Sequence, residues 1–550
     1  MWLILFWLPV VWADLPVHCL HHEILGRWNF MLSPPSPERS SCGHLRPDSV
    51  DFQPRRDDVQ VGKHLTISLM DPNVAEDEHL QRGTWTMVYD EGFEVEINNL
   101  NFFAFSNFSF ELAQGGSTKH NISHCDQTMV GWYHNTDRTE FGCYYGSKVM
   151  TQEPPAEQAA AVRPVHLGKK PKTLLYQTKL SHHHQRKVID KLSAKIGNES
   201  LGWKAKTMEK WNGLSMLQVN SYAGIKRSRR STAMLRQHAA KLKTLSGRVK
   251  RRSFLQQTSV LQLSKPLPGS WDWTNVSGRN FVEPVMDQSE CGSCYVAAAV
   301  RMLTARHKIK QNNTEEVPWS IAFPLRCSEY NQGCRGGYGI LAAKWSQEVG
   351  LLPANCMKYS SDGACELECS LKELQGKRYR ADNHRYVGSW YGEHGDKVEE
   401  IKAELYHNGP LILGLEPTED FMWYSEGIYR SPSSSDLMHS TSNFEWERVD
   451  HAVLLVGYGE ENGRKYWKLQ NSWGEDWGER GFFRMVMGEN DSGIESIPEA
   501  ADVVQDEQDG RQVQSFFQQL QAPTKRASTD ELQLTERIEH LLQSKLKVKA

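Results

Sequence analysis

The stretch QSECGSCYVAAAVRMLTAR, residues 288–306, decides the fold of this chain. Its second half is rich in alanine and other good helix formers, so it predicts a helix that begins near Cys294. A helix dipole stabilises negative charge at its N-terminal end, which helps a thiol with an ordinary pKa of about 8.5 to ionise. The pattern therefore predicts Cys294 as a nucleophile.

Later segments supply the groups that a nucleophilic thiolate needs. His451 stands in the β-rich run VDHAVLLVGYG, residues 449–459, which would hold the imidazole rigidly as cationic partner and proton donor. Asn471, in the motif QNSWG, can accept a hydrogen bond from the second ring nitrogen. Gln288 can donate its amide to a developing oxyanion beside the Cys294 backbone N–H. These residues predict acyl transfer by a Cys-His-Asn set with an oxyanion hole.

Each of these residues also has a structural alternative. A lone cysteine is most often half of a disulfide, a histidine on an apolar strand is usually a core residue, and Asn-Ser-Trp-Gly is often only a turn. The combination favours catalysis, because C-G-S-C-[WY] followed by a distant His and Asn is a papain-type signature.

The eleven cysteines form two clusters. Four lie between residues 19 and 143 and seven between 291 and 369, so the first cluster can pair internally and the second leaves one thiol over. Cys365 and Cys369 have a spacing that also occurs in zinc sites, but no histidine pair matches it. Neither a metal ion nor an organic cofactor is predicted.

Length and composition point to several folded units. The chain has 550 residues and 62.9 kDa, with 39% hydrophobic residues and 18 tryptophans, which is unlike a disordered protein. The formal charge is only −3, from 64 basic and 67 acidic side chains. The chain as a whole is therefore not predicted to bind nucleic acid.

The first segment predicts export. Residues 1–13 are apolar and end in V-W-A, as a cleaved signal peptide does, and they are shorter than the about 20 residues that cross a bilayer. No later segment is predicted to span a membrane, and a lysosome-like vesicle, a secretory granule or the exterior is the expected location. Six glycosylation sequons begin at Asn107, Asn121, Asn198, Asn275, Asn312 and Asn490. Disulfides are the default in such a compartment.

The next two segments differ in composition. Residues 14–150 predict a β-barrel or sandwich, because residues 85–97 alternate with period two around the turn Asp90-Glu91-Gly92. Residues 151–266 are rich in lysine and arginine, contain a helical stretch and end in two basic clusters, at 226–230 and 248–252. We interpret this segment as a propeptide that is excised at basic sites, with a solvated or nucleic-acid-binding linker as the alternative.

The catalytic motifs lie in the fourth segment, residues 267–500. The last segment, 501–550, is predicted to be a polar C-terminal extension ending in a helix. The residues that stripe one face of that helix are Leu534, Ile538, Leu541 and Leu542.

Residues 267–500 resemble the papain family of cysteine peptidases, and the chain from 14 to 500 resembles the dipeptidyl peptidases of that family. The motifs that carry the resemblance are DLPVHC at 14–19, YDEGFE at 89–94, CDQTMVGW at 125–132, CSEYNQGCRGG at 327–337 and YVGSWYG at 386–392. The resemblance implies an α+β fold, namely a papain-like two-lobed peptidase with a helical lobe and a β-barrel lobe. An all-β exclusion domain and a propeptide would precede it.

The resemblance also implies a function for residues outside the catalytic set. The exclusion domain would block the cleft beyond the second substrate residue, so that dipeptides are removed from free N-termini. Asp14, as the mature N-terminus, would pair with the substrate ammonium. Gly336 and Gly337 would form the cleft wall, and Trp473 and Trp477 would line the leaving-group side.

Disulfides and an ion are implied in the same way. The implied pairs are Cys19–Cys125, Cys42–Cys143, Cys291–Cys334, Cys327–Cys365 and Cys356–Cys369. The family binds chloride at the second substrate pocket through tyrosines. Tyr386 matches one of these positions, but the stretch around Tyr338 is shortened, which leaves chloride open.

The resemblance implies a zymogen that other proteases activate, a homotetramer, and peptide or protein substrates with free N-termini. The heavy chain would begin near Leu267 and the light chain within 431–443. Two alternatives remain at this point. One is a papain-like endopeptidase without dipeptidyl restriction, and the other is a catalytically silent, protease-like binding protein.

Overall fold

The fold is taken from a computed structural model of the chain. The residues that it describes are 15, 17–48, 53–112, 119–149, 179–215, 218–219, 266–313, 318–361, 363–370, 378–388, 397–418, 420–432, 451–506 and 511–521. The predicted signal, the two basic clusters and the predicted C-terminal helical stripe lie outside these residues.

The N-terminal unit is an antiparallel β-barrel. After a short helix, α1 (His21–Ile24), its strands are β1 (Gly26–Leu32), β2 (Lys63–Met70), β3 (Val74–Asp77), β4 (Arg82–Val88), β5 (Gly92–Ile97), β6 (Leu100–Leu112), β7 (Lys119–Thr128), β8 (Gly131–Asn135) and β9 (Phe141–Lys148). Neighbouring strands pair from β1 through β6, and the pairs β6–β8, β8–β9 and β9–β1 close the ring. The predicted barrel is confirmed.

The predicted hairpin corresponds to β4 and β5. Val88 pairs with Gly92, so the turn contains Tyr89, Asp90 and Glu91, one residue earlier than the sequence indicated. Tyr89 has a φ of 51°, a left-handed conformation that ends β4. Because the side chains of a strand alternate between faces, the barrel interior fills with apolar residues such as Trp28 and Phe93, which lie 5.1 Å apart by ring centroids.

Residues 179–219 follow, and they pack on the second unit. Helix α2 (His182–Asn198) begins at Ser181, whose side chain accepts a hydrogen bond from the His184 N–H. Strand β10 (Trp203–Ala205) pairs with a strand of the second unit. The helical stretch predicted in this segment is confirmed.

The second unit has a helical lobe and a sheet lobe. Its helices are α3 (Cys294–Lys310), α4 (Ala322–Cys327), α5 (Gly339–Glu348) and α6 (Lys397–Asn408). Its strands are β11 (Trp271–Asp272), β12 (Tyr379–Tyr386), β13 (Leu411–Leu415), β14 (Tyr424–Tyr429), β15 (His451–Glu461), β16 (Arg464–Gln470), β17 (Phe482–Val486) and β18 (Glu499–Gln505). The sheet order is β10-β14-β17-β16-β15-β13-β18-β12, with β11 paired to β15.

The folded part of the chain extends beyond residue 500, where the sequence analysis predicted that the peptidase segment ends. Strand β18 runs to Gln505 and pairs with β12, so the predicted boundary at residue 500 falls inside a strand. Helix α7 (Arg511–Gln521) then packs on the helical lobe, with Phe517 stacked on Phe323 at 5.4 Å. The segment after residue 500 thus begins as part of the folded core, because its apolar side chains cover α4 and α5.

Buried ion pairs join the barrel to the helical lobe. Lys344 of α5 lies 2.7 Å from Glu94 of the barrel and 3.2 Å from Glu348. Arg39 of the barrel reaches Glu348 at 2.7 Å. All four side chains are nearly excluded from solvent, with Lys344 only 2% exposed.

The charges of this interface depend on one another. Burial alone would raise the pKa of Glu94, but His384 and Lys344 hold that pKa far below its usual value. In the same way, burial opposes ionisation of Glu348, yet Lys344 and Arg39 lower its pKa to about 2. Both carboxyls are therefore ionised, and each needs its cation because a lone buried charge is costly.

The sequons lie at different depths. Asn121, Asn198, Asn275 and Asn312 are exposed, whereas Asn107 and Asn490 are half-buried. Their glycosylation stays a prediction. Within the described residues, no helix has both the length and the apolar character that a membrane span requires.

Removal of the lysine charge tests the interface. Lys344→Met leaves Glu94 and Glu348 buried without their shared cation, so we expect it to lower the free energy of unfolding by about 3–5 kcal/mol. Denaturant titration followed by tryptophan fluorescence measures this loss.

The control is an exposed ion pair of the barrel. Arg27 and Glu78 lie 2.5 Å apart with about half of each side chain exposed. Arg27→Met should change the free energy of unfolding by less than about 1 kcal/mol. Equal losses in the two variants would contradict a special role for the buried pairs.

Candidate active site

Cys294 is the first residue of helix α3, as the sequence predicted. Its side chain is buried, with 6% exposed. The preceding residue, Ser293, is held by a 2.7 Å hydrogen bond between its hydroxyl and that of Tyr359. The helix dipole thus acts on a thiol at the N-terminal end of the helix, directly after a residue that is held in place.

Ten of the eleven cysteines form five disulfides, and Cys294 belongs to none of them. The pairs are those that the resemblance implied. Cys291–Cys334 ties the segment before the helix to the opposite wall, where the Gly292 N–H donates to the Cys334 carbonyl at 2.9 Å. The thiol left over by the cysteine count is therefore Cys294.

His451 and Asn471 lie together on neighbouring strands. His451 begins β15 and Asn471 follows β16, and the His451 Nε2 is 2.8 Å from the Asn471 Oδ1. Helix α3, which begins with Cys294, packs against β15, which begins with His451. The His451 Nδ1 is buried and makes no hydrogen bond with any described residue.

The imidazole is almost completely buried. Burial lowers the pKa of His451 to about 4, and the hydrogen bond to Asn471 opposes this effect. Trp473 stacks on the ring at 4.8 Å and keeps water away. A buried imidazole of this kind becomes a cation only when a negative group lies next to it, as a thiolate would.

Gln288 connects the two lobes at the site. Its backbone N–H donates to the Ser472 carbonyl at 2.8 Å, and its side-chain amide donates to the Cys291 carbonyl at 2.9 Å. The Ser472 hydroxyl donates to the Gln288 side-chain oxygen. These bonds fix the amide beside the turn that leads to Cys294, where an oxyanion donor is needed.

Gly336 and Gly337 form a wall next to the Cys291–Cys334 disulfide. Gly336 has a φ of 125°, which disfavours a residue with a side chain. A Cβ on Gly337 would lie 2.3 Å from the Asn331 side-chain oxygen, which accepts a hydrogen bond from the Tyr338 N–H at 2.8 Å. The wall therefore needs glycine at both positions.

The two predicted cleft tryptophans are buried. Trp473 stacks on His451 at 4.8 Å, whereas Trp477 packs behind Trp473 at 4.9 Å and donates to the Met422 carbonyl at 3.2 Å. Both are 0% exposed. Trp477 thus supports the site from the core and has no open surface for substrate.

The residue that lies over Trp473 could not be identified from any sequence pattern. Lys210, from the segment 179–219, donates to the Trp473 carbonyl and to Asp287, the latter at 2.9 Å. Its neighbour Trp211 packs edge-on against Trp473 at 6.4 Å. A single lysine in a lysine-rich segment has no pattern that could have marked it.

Asp14 lies outside the described residues, but Leu15 is placed. Leu15 is buried, and its N–H donates to the Glu91 carboxylate at 2.8 Å. His18 lies 2.6 Å from Asp90 in the same β4–β5 turn. The described N-terminal residues are therefore anchored to the turn that carries Tyr89.

Tyr89 and the two candidate chloride tyrosines surround one carboxyl group. Tyr89 packs on Tyr338 at 4.1 Å, and its hydroxyl donates to Glu499 at 3.0 Å. Tyr386 pairs with Glu499 across β12 and β18. Burial raises the pKa of Tyr89 well above its usual value, and Glu499, Tyr386 and Cys294 add to that rise. Glu499 is a site residue that the sequence did not indicate.

The chain matches two family models. They are described as "Papain family cysteine protease", over residues 267–501, and "Cathepsin C exclusion domain", over residues 14–148. Cathepsin C of Schistosoma mansoni is 29% identical over 88% of this chain and 94% of that protein. Dipeptidyl aminopeptidase 1 of Plasmodium falciparum is 24% identical over 88% of this chain and 92% of that protein. Cathepsin B-like cysteine proteinase 4 of Caenorhabditis elegans is 32% identical over 42% of this chain and 73% of that protein.

Thiol labelling tests the geometry of the site directly. Ten cysteines are bridged, so we expect iodoacetamide to modify the native, unreduced protein once per chain, at Cys294. Intact mass and peptide mapping give the number and the position. Cys294→Ser should abolish the modification, and labelling of any other cysteine would contradict the disulfide assignment.

Proposed function

The chain belongs to the papain family of cysteine proteases, and on that premise we propose that it removes dipeptides from the free N-termini of peptides and proteins. The observation that carries the proposal is the barrel, which is joined by buried ion pairs to the helical lobe and places Tyr89 against the cleft wall at Tyr338. An end of the cleft that is closed in this way limits how far a peptide can enter.

The proposed chemistry uses the residues already described. The Cys294 thiolate attacks the carbonyl carbon of the second substrate residue, and Gln288 with the Cys294 backbone N–H stabilises the oxyanion. His451, as the imidazolium, gives its proton to the leaving amine when the C–N bond breaks. Water, deprotonated by the now neutral His451, then attacks the thioester and releases the dipeptide and the thiolate.

We propose that Asp14 recognises the substrate N-terminus. The proposal is supported by Leu15, which is held by Glu91 in the turn that carries Tyr89. The Asp14 carboxylate would pair with the substrate ammonium. A blocked N-terminus would leave that carboxylate without a partner, which penalises binding strongly.

We further propose that the chain is a zymogen of the secretory pathway. The segment 179–219 lies over Trp473 through Lys210 and adds β10 to the sheet lobe, so it covers the leaving-group side of the cleft. Excision at the basic clusters by other proteases would open that side. A lysosome-like, granular or extracellular location and a homotetramer belong to the same proposal.

Blocking the substrate amine tests the dipeptidyl function. We expect the processed enzyme to cleave a dipeptidyl coumarylamide at least about 100-fold faster, in kcat/KM, than the N-acetylated form, because acetylation removes the ammonium with which the Asp14 carboxylate is proposed to pair. Fluorescence release gives both rates. Equal rates would instead indicate an endopeptidase, and no turnover of either substrate would indicate a silent homologue.

The matched variant is Asp14→Ala. It should lower dipeptidyl turnover far more than it lowers the rate of Cys294 alkylation, since Asp14 binds substrate and does not activate the thiol. A parallel fall in both rates would show that Asp14 is structural.

A substitution at Lys210 tests whether the segment 179–219 covers the active site in the uncut chain. Lys210→Met in the uncut chain removes the bonds to Asp287 and Trp473, so we expect about 3- to 10-fold faster labelling of Cys294 by a peptide-based thiol probe. Lys204→Met, in the same segment, removes an exposed pair with Glu426 and should leave the rate unchanged. Equal rates in wild type and both variants would contradict the covering role.

A further inference from the structure

The hydroxyl of Tyr359 contacts both ends of the turn that carries the oxyanion donors. Its oxygen is 3.0 Å from the Gln288 backbone carbonyl oxygen and 2.7 Å from the Ser293 hydroxyl oxygen. Gln288 supplies one donor through its side-chain amide, and Ser293 directly precedes Cys294, whose backbone N–H is the other donor. One hydroxyl thus bridges the two residues that hold the oxyanion donors.

The direction of these two hydrogen bonds follows from the chemistry of the partners. A carbonyl oxygen can only accept, so the single hydroxyl hydrogen of Tyr359 goes to Gln288. The Ser293 hydroxyl therefore donates to the Tyr359 oxygen. Burial raises the pKa of Tyr359, although the bond to Ser293 opposes that rise. The Tyr359 hydroxyl therefore keeps its hydrogen at neutral and acidic pH, and the bridge persists there.

The turn between Gln288 and Ser293 needs support from outside. Ser289 has a φ of 55°, a left-handed conformation that is unfavourable for a residue with a side chain. Within the turn, the Cys291 N–H reaches the Gln288 carbonyl at 3.4 Å, which is long for a hydrogen bond. The Tyr359 hydroxyl lies closer to that carbonyl, so it provides the stronger of these two bonds.

The residues on both sides of Tyr359 are fixed to the helical lobe. Arg326 of α4 donates to the Lys358 carbonyl at 3.3 Å and to the Ser360 hydroxyl, so one guanidinium holds both neighbours. The Lys358 N–H also donates to the Glu368 carboxylate at 3.0 Å. The backbone of Tyr359 is therefore held in place, and its hydroxyl meets the turn at a defined position.

The structural alternative is that Tyr359 only fills space. Its ring packs against the hydrophobic core of the second unit and lines a cavity of about 150 Å³ together with Arg301 and Ser320. A phenylalanine would fill the same space and would lack only the hydroxyl group. Substitution by phenylalanine therefore separates the two roles.

We propose that Tyr359 is a positioning residue that sets the spacing between the two oxyanion donors, the Gln288 side-chain amide and the Cys294 backbone N–H. This inference rests on the acyl-transfer chemistry proposed above, and not on the dipeptidyl restriction. Displacement of either donor weakens a hydrogen bond that forms fully only in the transition state. Loss of the bridge therefore slows acyl transfer and leaves the thiolate as reactive as before.

Three measurements on the processed enzyme separate support of the oxyanion from reactivity of the thiol. The kcat/KM for a dipeptidyl coumarylamide and the inhibition constant of a dipeptide aldehyde both depend on the oxyanion donors. In each case the Cys294 sulfur bonds to the carbonyl carbon, and the π electron pair moves to the oxygen. Alkylation by iodoacetamide forms a sulfur–carbon bond as iodide leaves, and no oxyanion arises.

The first variant is Tyr359→Phe. We expect its kcat/KM to fall about 5- to 20-fold and the aldehyde to bind about 5- to 20-fold more weakly, while the alkylation rate changes by less than about twofold. The control is Tyr133→Phe, which removes a hydroxyl that donates to the Ser33 carbonyl at 2.6 Å in the N-terminal unit. It should leave all three measurements unchanged.

A double substitution tests the spacing itself. Gln288→Ala removes one donor and should lower kcat/KM by about 100-fold. With one donor left, its distance from the other no longer matters, so adding Tyr359→Phe should lower kcat/KM by less than about twofold more. A full additional loss would overturn the proposal.

Two results with the single variant would also overturn it. Equal kcat/KM in wild type and Tyr359→Phe, or parallel losses in turnover and alkylation, would show that Tyr359 is structural. If Tyr359→Phe does not fold, Ser293→Ala removes the same bridge at its other end. That variant should show the same pattern, with a loss of at least about threefold in kcat/KM.

Failure of the proposed function has a different signature. If N-acetylated substrates are cleaved equally well, the dipeptidyl restriction fails, and wild type and Tyr359→Phe are still compared on the same substrate. If no substrate is turned over, the proposed acyl transfer fails and the aldehyde decides. Equal aldehyde affinities in wild type and Tyr359→Phe would then overturn the positioning role.

Discussion

The buried cation of Lys344 holds the two units of this protein in one arrangement. It lies between Glu94 of the barrel and Glu348 of its own helix, where neither carboxylate can reach water. Because a buried charge without a partner is so unfavourable, the barrel cannot tilt or leave without a large loss of stability. The positions of Tyr89, of the N-terminal segment at Leu15 and of the closed cleft end all follow from this contact.

The fold and the placement of Cys294, His451 and Asn471 could be predicted because their signals are local. A cysteine before an alanine-rich helix, a histidine at the start of an apolar strand and an odd cysteine count each depend on a few neighbouring positions. The hairpin around residues 89–91 could be predicted for the same reason. The disulfide pairs could be obtained only through resemblance, since spacing alone permits many pairings.

The other parts of the site depend on contacts between residues far apart in sequence. Lys210 is one lysine among many until its segment is seen over Trp473. Glu499 lies in an unremarkable strand, and its burial is visible only when the barrel turn is placed beside it. The boundary at residue 500 was wrong because the end of β18 is defined by its pairing with β12, which lies far away in the sequence.

Strand β10 covers one edge of the sheet lobe, and this pairing bears on the proposed maturation. While the segment 179–219 remains, the backbone groups of β14 are paired on that side by Trp203 and Lys204. If the segment is excised as proposed, the backbone amides and carbonyls of β14 on that side would face water, together with the ring of Tyr429, which packs 4.9 Å from Trp203. The proposed activation would therefore leave β14 as an unpaired edge strand, which is a surface suited to contact with another subunit.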